Sequence, residues 1–213
     1  MHDMPYRPDP ATSTQAPDLA ALIGSRICHD LISPIGAIGN GVELLMMEGA
    51  TKSPEIALIS ESVAHANARI RFFRVAFGAA SPGQRIGRPE VMSILADTTR
   101  GGRLSIDWQG PQDLARTEVK AVFLALMACE TAMAYGGRIT VMQEAGPDDA
   151  NWTVIGQAAR LRLDPALWAG LAGAATLPTT ASLVHFALLS GTVGALGRRL
   201  AVETGDTDLR LSF

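Results

Sequence analysis

Cysteine is nearly missing from this 213-residue chain, which has only Cys28 and Cys129. Two residues a hundred positions apart form neither a disulfide scaffold nor a zinc or redox motif, so both are read as reduced, buried thiols of a cytoplasmic protein. Charge is also sparse: charged residues are 18% of the chain, and 18 Lys+Arg against 21 Asp+Glu leave a net charge of -3. No dense basic stripe exists to release counterions from a phosphate backbone, which excludes nucleic acid as a partner. The four histidines (His2, His29, His65 and His185) are too scattered to suggest a metal set. Residues 165–197 lack Asp, Glu, Lys and Arg altogether, yet Pro178, Thr179, Thr180 and Ser182 break the run, and His185 and three glycines follow. That pattern fits a core helix and excludes a membrane span. No basic-then-apolar leader opens the sequence.

What is abundant is apolar: hydrophobic residues make up 47%, enough to offset ordering entropy over most of the chain. The length predicts two domains. Residues 1–17 hold Pro5, Pro8, Pro10 and Pro17 among polar neighbours and are expected to form a flexible tail. From Asp18 to about Met47, Leu31, Ile35, Ile38, Val42 and Leu45 alternate at four and three residues, the narrow stripe of a bundle helix. Gly49 to Lys52 read as a turn, with Ser53 as cap and Pro54 at the first position of a second helix. Ile56, Ile59, Val63, Ala66, Ile70, Phe73 and Phe77 give that helix a matching stripe. Residues 18–78 are therefore expected to form an antiparallel helical hairpin, and its surplus apolar surface predicts a homodimer with a four-helix bundle.

Residues 79–87 read as a linker, and 88–213 as a second, α/β domain. Helices are expected near 88–100, 115–135, 165–173 and 181–197. Strands are expected at 104–108, 138–142 after the Gly136-Gly137 turn, 152–156, 159–163, 200–203 and 209–213, mainly with antiparallel neighbours.

The residues that suggest chemistry lie in the first helix, in His29-Asp30-Leu31-Ile32-Ser33-Pro34. At 100° per residue His29 stands about 160° around the helix from the apolar stripe, so its imidazole should face solvent. An exposed neutral ring nitrogen on a rigid helix is a good nucleophile toward phosphorus, and an adjacent carboxylate, here Asp30, can hold the other nitrogen's proton. Pro34 removes a helical hydrogen bond at about 3 kcal/mol and should bend the helix after the histidine. Ser33, Gly36 and Asn40 fall on the His29 side. Gly36, Gly39 and Gly41 crowd one window although each costs about 1 kcal/mol in a helix, which suggests a closely docked partner, or for Gly39 equally close packing in the bundle. Cys28, beside the stripe, is read as structural; His65 as a solvated side chain; His185 as a core residue; and Gly191, Gly194 and Gly197 as helix-packing glycines.

The run from Ile27 to Leu45 (ICHDLISPIGAIGNGVELL) closely resembles the phosphoacceptor helix of ChpT-type histidine phosphotransferases. More loosely, His29, Asp30, Leu31 and Pro34 resemble the phosphoacceptor box of sensor histidine kinases. The resemblance implies that His29 is phosphorylated; on the reading of the residues Asp30 assists it, Ser33 and Pro34 are expected to set the local geometry, and Arg26, Gly36, Asn40 and Glu43 to dock a partner. The implied fold is the dimeric hairpin followed by a degenerate histidine-kinase ATPase-like α/β sandwich. The kinases carry a magnesium-holding asparagine on a helix like 115–135, which here has no Asn, and an Asp-x-Gly-x-Gly turn absent from Trp152–Leu163. ATP binding should therefore be lost, and the chain should carry no cofactor of its own.

The activity this implies is a phosphorelay: His29 accepts a phosphoryl group from the receiver domain of a hybrid histidine kinase and passes it to response regulators, with Mg²⁺ brought by the receiver. Two rivals remain at this point. An ATP-dependent kinase with diverged contacts would bind nucleotide, and a non-catalytic receiver-binding adaptor would tolerate loss of His29.

Overall fold

The computed structural model describes residues 18–48, 54–145 and 150–213. The expected tail, the 49–52 turn and the Ser53 cap lie outside the described residues. Helix α1 runs Leu19–Glu48 and α2 Pro54–Ala76. Asp18 caps α1, its Oδ1 accepting from the backbone N–H groups of Ala20 and Ala21 at 3.0 and 3.2 Å. Pro34 sits inside α1, which continues on both sides of it. The two helices pack along each other, and Ile59 of α2 fills the space that a Cβ on Gly41 would take. The stripes expected to pack inside the hairpin are split, however. Ile35 and Val42 of α1, and Ile56, Val63 and Ile70 of α2, face outward. A helix pair of this width covers only one side of each stripe.

The remaining elements are β1 (Arg85–Gly87), α3 (Arg88–Thr99), β2 (Leu104–Gln109), β3 (Asp113–Ala115), α4 (Arg116–Ala132), β4 (Gly137–Ala145), β5 (Ala150–Gln157), α5 (Pro165–Leu171), a 3-10 turn (Ala181–Leu183), α6 (Val184–Ala195), β6 (Ala201–Thr204) and β7 (Asp208–Ser212). Five strands form one sheet in the order β2-β4-β5-β7-β6, with β2 and β4 parallel and the other neighbours antiparallel. Helix α4 makes the crossover between the parallel pair. Alternation along the strands puts Ile139, Val141, Trp152, Val154, Leu209 and Leu211 on the face that α4 covers. Helix α4 is buried almost all round, as its nearly unbroken apolar run Val122–Cys129 requires, because α2 and α6 close its other sides.

Three expectations need correcting. Residues 85–87 are not linker: β1 pairs antiparallel with β3, Ile86 opposite Leu114, and both side chains are buried. Residues 159–163 do not form a strand. Their alternation is satisfied by single tethers, Arg162 N–H to the Ala132 carbonyl and Ala158 N–H to the Thr207 carbonyl, as the chain leaves the sheet. Gly191 and Gly194 are not packing glycines, since a Cβ at either would meet open space.

Aromatic packing and cations join the hairpin to the second unit. Phe72 of α2 lies 4.7 Å, centroid to centroid, from Phe123 of α4. Arg116 donates to the Val75 and Arg74 carbonyls at 2.9 and 2.6 Å, and Lys120 to the Gly78 carbonyl at 2.9 Å. These are the free carbonyls at the C-terminal end of α2, where a cation is favoured by the helix dipole. Burial lowers the pKa of both Arg116 and Lys120. No helix among the described residues is long and apolar enough to cross a membrane.

The Gly136-Gly137 turn forms where the sequence places it, with φ of +96° and +146°. A Cβ on Gly137 would run into the Gln157 carbonyl oxygen and the Met133 methyl group. Gly137→Ala is therefore expected to destabilise the protein by more than about 1 kcal/mol, read as a lower denaturant midpoint at unchanged slope.

Candidate phosphoacceptor site

His29 projects from α1 with its side chain 86% exposed, while Asp30, one residue on, is turned inward and only 10% exposed. Neighbours on a helix point about 100° apart, so one side chain can meet solvent while the next meets α2. Even so, the two remain in contact: His29 Nδ1 is 3.2 Å from Asp30 Oδ1. The other carboxylate oxygen, Oδ2, accepts from Arg26 Nε at 3.2 Å and from an Arg69 terminal nitrogen of α2 at 3.1 Å.

Burial pushes the Asp30 carboxyl up, but Arg26, the hydrogen bond with His29 and Arg69 together outweigh it and hold the group below its ordinary value. An ionised carboxylate can only accept, so Nδ1 of a neutral His29 carries the proton and Nε2 keeps its lone pair, directed away from Asp30. Beneath this network lies His185 of α6, fully buried, with Nε2 3.1 Å from the Thr131 hydroxyl. Burial first, then the nearby guanidiniums of Arg26 and Arg69, drive its pKa down to about 3 despite the opposing pull of Asp30. It stays neutral and adds no cation to compete for Asp30.

Ser33, Gly36, Asn40 and Glu43 are exposed on α1, and a Cβ on Gly36 or Gly39 would meet nothing within 4 Å. That leaves the face around His29 shallow. Arg26, expected among the docking residues, donates to Asp30 and also to the Ser182 carbonyl at 2.7 Å, so its guanidinium is engaged within the chain. Cys28 is corrected, being exposed, whereas Cys129 is buried with its thiol pushed up to about 12. A cleft of about 510 Å³ opens beside Asp30 between the hairpin and the end of α3, with Ser33, Pro34, His65, Arg100 and Glu130 on its walls. No cluster of candidate metal ligands occurs among the described residues.

The sequence reading missed Arg69, Glu130 and the Ser182 carbonyl. Arg26 and Asp30 stand four apart on one helix, a pairing that spacing alone could have shown. Arg69 carried no such signal, because its meeting with Asp30 depends on the register between the two helices.

Asp30→Asn keeps the shape and removes the charge. With His29 as phosphoacceptor, the expectation from the sequence, transfer should slow by about a hundred-fold, the scale of losing one preorganised electrostatic partner, checked by rapid-quench kinetics. Because the folded-state pKa of Asp30 is depressed, the stability it lends is in place above the ordinary carboxylate range and is lost as pH falls through the depressed value. The stability difference between wild type and Asp30→Asn should shrink over that acidic window, as read from denaturation midpoints.

Residues 88–208 match the family model described as "Histidine phosphotransferase C-terminal domain". The chain is 37% identical over 150 residues to the "Protein phosphotransferase ChpT" of Brucella abortus (strain 2308), covering 70% of this chain and 71% of that one. The solved "Structure of a Bacterial Phosphotransferase" superposes with a TM-score of 0.78 at 32% identity, over 92% of this chain and 95% of that one. The likeness takes in both the hairpin and the sheet. This chain belongs to the ChpT-type histidine phosphotransferase family.

Proposed function

We propose that the protein is a phosphorelay phosphotransferase in which His29 Nε2 is the phosphoacceptor. One observation carries the reading: an exposed imidazole whose Nδ1 is held by an inward-turned, ionised carboxylate, leaving Nε2 free. In the forward step the Nε2 lone pair forms a bond to the phosphorus of an aspartyl phosphate on a receiver domain. The acyl phosphate P–O bond breaks, its electron pair returning to the receiver's carboxylate. Nδ1 keeps its proton throughout, so the ring becomes a phosphorylated imidazolium whose charge Asp30 balances. Reversal toward a second receiver restores neutral His29.

Such transfer depends chiefly on alignment and charge stabilisation, so the receiver can supply Mg²⁺ and the acceptor carboxylate. Gly36, Asn40 and Glu43 lie on the same exposed side of α1 and suit the docking of such a domain. The donor on this reading is the receiver of a hybrid histidine kinase, the recipients are response regulators, the compartment is the cytoplasm, and the protein works as a homodimer without ATP.

The test is to mix the protein with a phosphorylated receiver and Mg²⁺, without nucleotide, and follow an acid-labile phosphoryl group. Its appearance on this chain supports the relay. Labelling only from ATP would support a kinase instead, and stable receiver binding with no labelling would support an adaptor.

A further inference from the structure

We infer that Arg69 and Glu130 are positioning residues for phosphoryl transfer, through which the second domain holds the Asp30 carboxylate in place against His29. The inference rests on His29 being the phosphoacceptor. Asp30 divides its oxygens: Oδ1 meets His29 Nδ1, and Oδ2 meets Arg26 and Arg69. Arg26 stands four residues earlier on the same helix and moves with it. Arg69 comes from α2, so it ties the carboxylate to a second helix and resists rotation that would release Nδ1.

Arg69 is itself fixed from two sides. Its guanidinium lies 5.1 Å from the Phe73 ring centroid and 5.7 Å from that of Phe72, a stacking surface that constrains its plane. Both terminal nitrogens reach Glu130 Oε2 of α4 at 3.4 Å. A guanidinium shared between two carboxylates is pinned between them; without Glu130 it could swing toward Asp30's other oxygen or out into the cleft. The chain of contacts from Glu130 through Arg69 and Asp30 to His29 crosses α4, α2 and α1. It gives a domain without an asparagine on its α4 a role in the chemistry in cis.

The experiment uses the full chain and three variants: Arg69→Gln, Arg69→Lys and Glu130→Gln. Transfer from a phosphorylated receiver is measured over receiver concentration to separate kcat from KM. The ring tautomer of His29 is read from ¹⁵N shifts without any partner at about pH 8.5, well above the ordinary histidine range. Arg69→Gln is expected to lower kcat about ten-fold with KM within about two-fold, and to mix the Nδ1–H and Nε2–H forms of His29. Glu130→Gln should lower kcat about three-fold in the same way, and Arg69→Lys should recover part of the rate, since an ammonium keeps the charge but not the fork.

Wild-type rates and tautomer in both Arg69→Gln and Glu130→Gln would overturn the inference while leaving His29 as acceptor. A rise in KM alone would also overturn it, by making these residues part of the docking surface. Transfer that survives His29→Ala would remove the acceptor assignment, and the inference with it. Glu130 lies at the edge of the cleft, half-exposed, so its variant keeps the test decisive should Arg69→Gln fail to fold.

Discussion

Replacing His29 with alanine is expected to abolish phosphoryl uptake, with no residual acid-labile label on the chain at any time and no loss of fold. The side chain hydrogen-bonds to Asp30 and is 86% exposed among the described residues, so removing it disturbs little packing. Surface changes of this kind stay within about 0.5 kcal/mol, and alanine is the better helix former. Neither of the other histidines among the described residues is placed to substitute. His65 is exposed on α2 with no carboxylate among the described residues hydrogen-bonded to its ring, and His185 is buried and neutral. The loss is of the nucleophile itself, so it should appear as an absent reaction at saturating receiver, while receiver binding measured by calorimetry stays close to wild type. Label of normal amount on His29→Ala would refute the acceptor assignment outright.

Much of this site could be read from the sequence because helical geometry is local. The apolar stripe and a fixed turn per residue put His29 on the outer side, and the structure leaves it exposed there. The same holds for the Gly136-Gly137 turn and for α3, β2, α4, β4 and β5, whose patterns are carried by near neighbours. What could not be read was set by distant parts of the chain. Arg69 of α2 meets Asp30 of α1, and Glu130 of α4 meets Arg69 from 61 residues further along the chain. The strand β1 formed in an expected linker because β3, nearly thirty residues later, supplies its partner. Cys28 was expected to be buried by its place beside the stripe, but the stripe lies half outside the hairpin, and the cysteine went with the open side.

That open side leads to the second large effect, on association. Ile35 and Val42 stand seven residues apart on α1, and Ile56, Val63 and Ile70 repeat at seven on α2; all are exposed in the single chain, as is Ile32 at 69%. A seven-residue repeat on both helices of a hairpin is the seam of a left-handed bundle, and a second copy of the same hairpin offers the same seam back. Val63→Asp should therefore convert a dimer into a monomer. Each copy loses about 2 kcal/mol of apolar burial, and two-fold symmetry doubles this, so Kd should rise about a thousand-fold. Desolvating the two carboxylates adds to the penalty. Within one chain the position faces outward, so the circular dichroism spectrum should be kept. Sedimentation velocity across a concentration series makes the measurement. A monomeric wild type at high concentration, or a Val63→Asp protein that stays dimeric, would show that this face is not the seam. Should the monomer still accept phosphate at the wild-type rate, the second hairpin would prove to be scaffold alone.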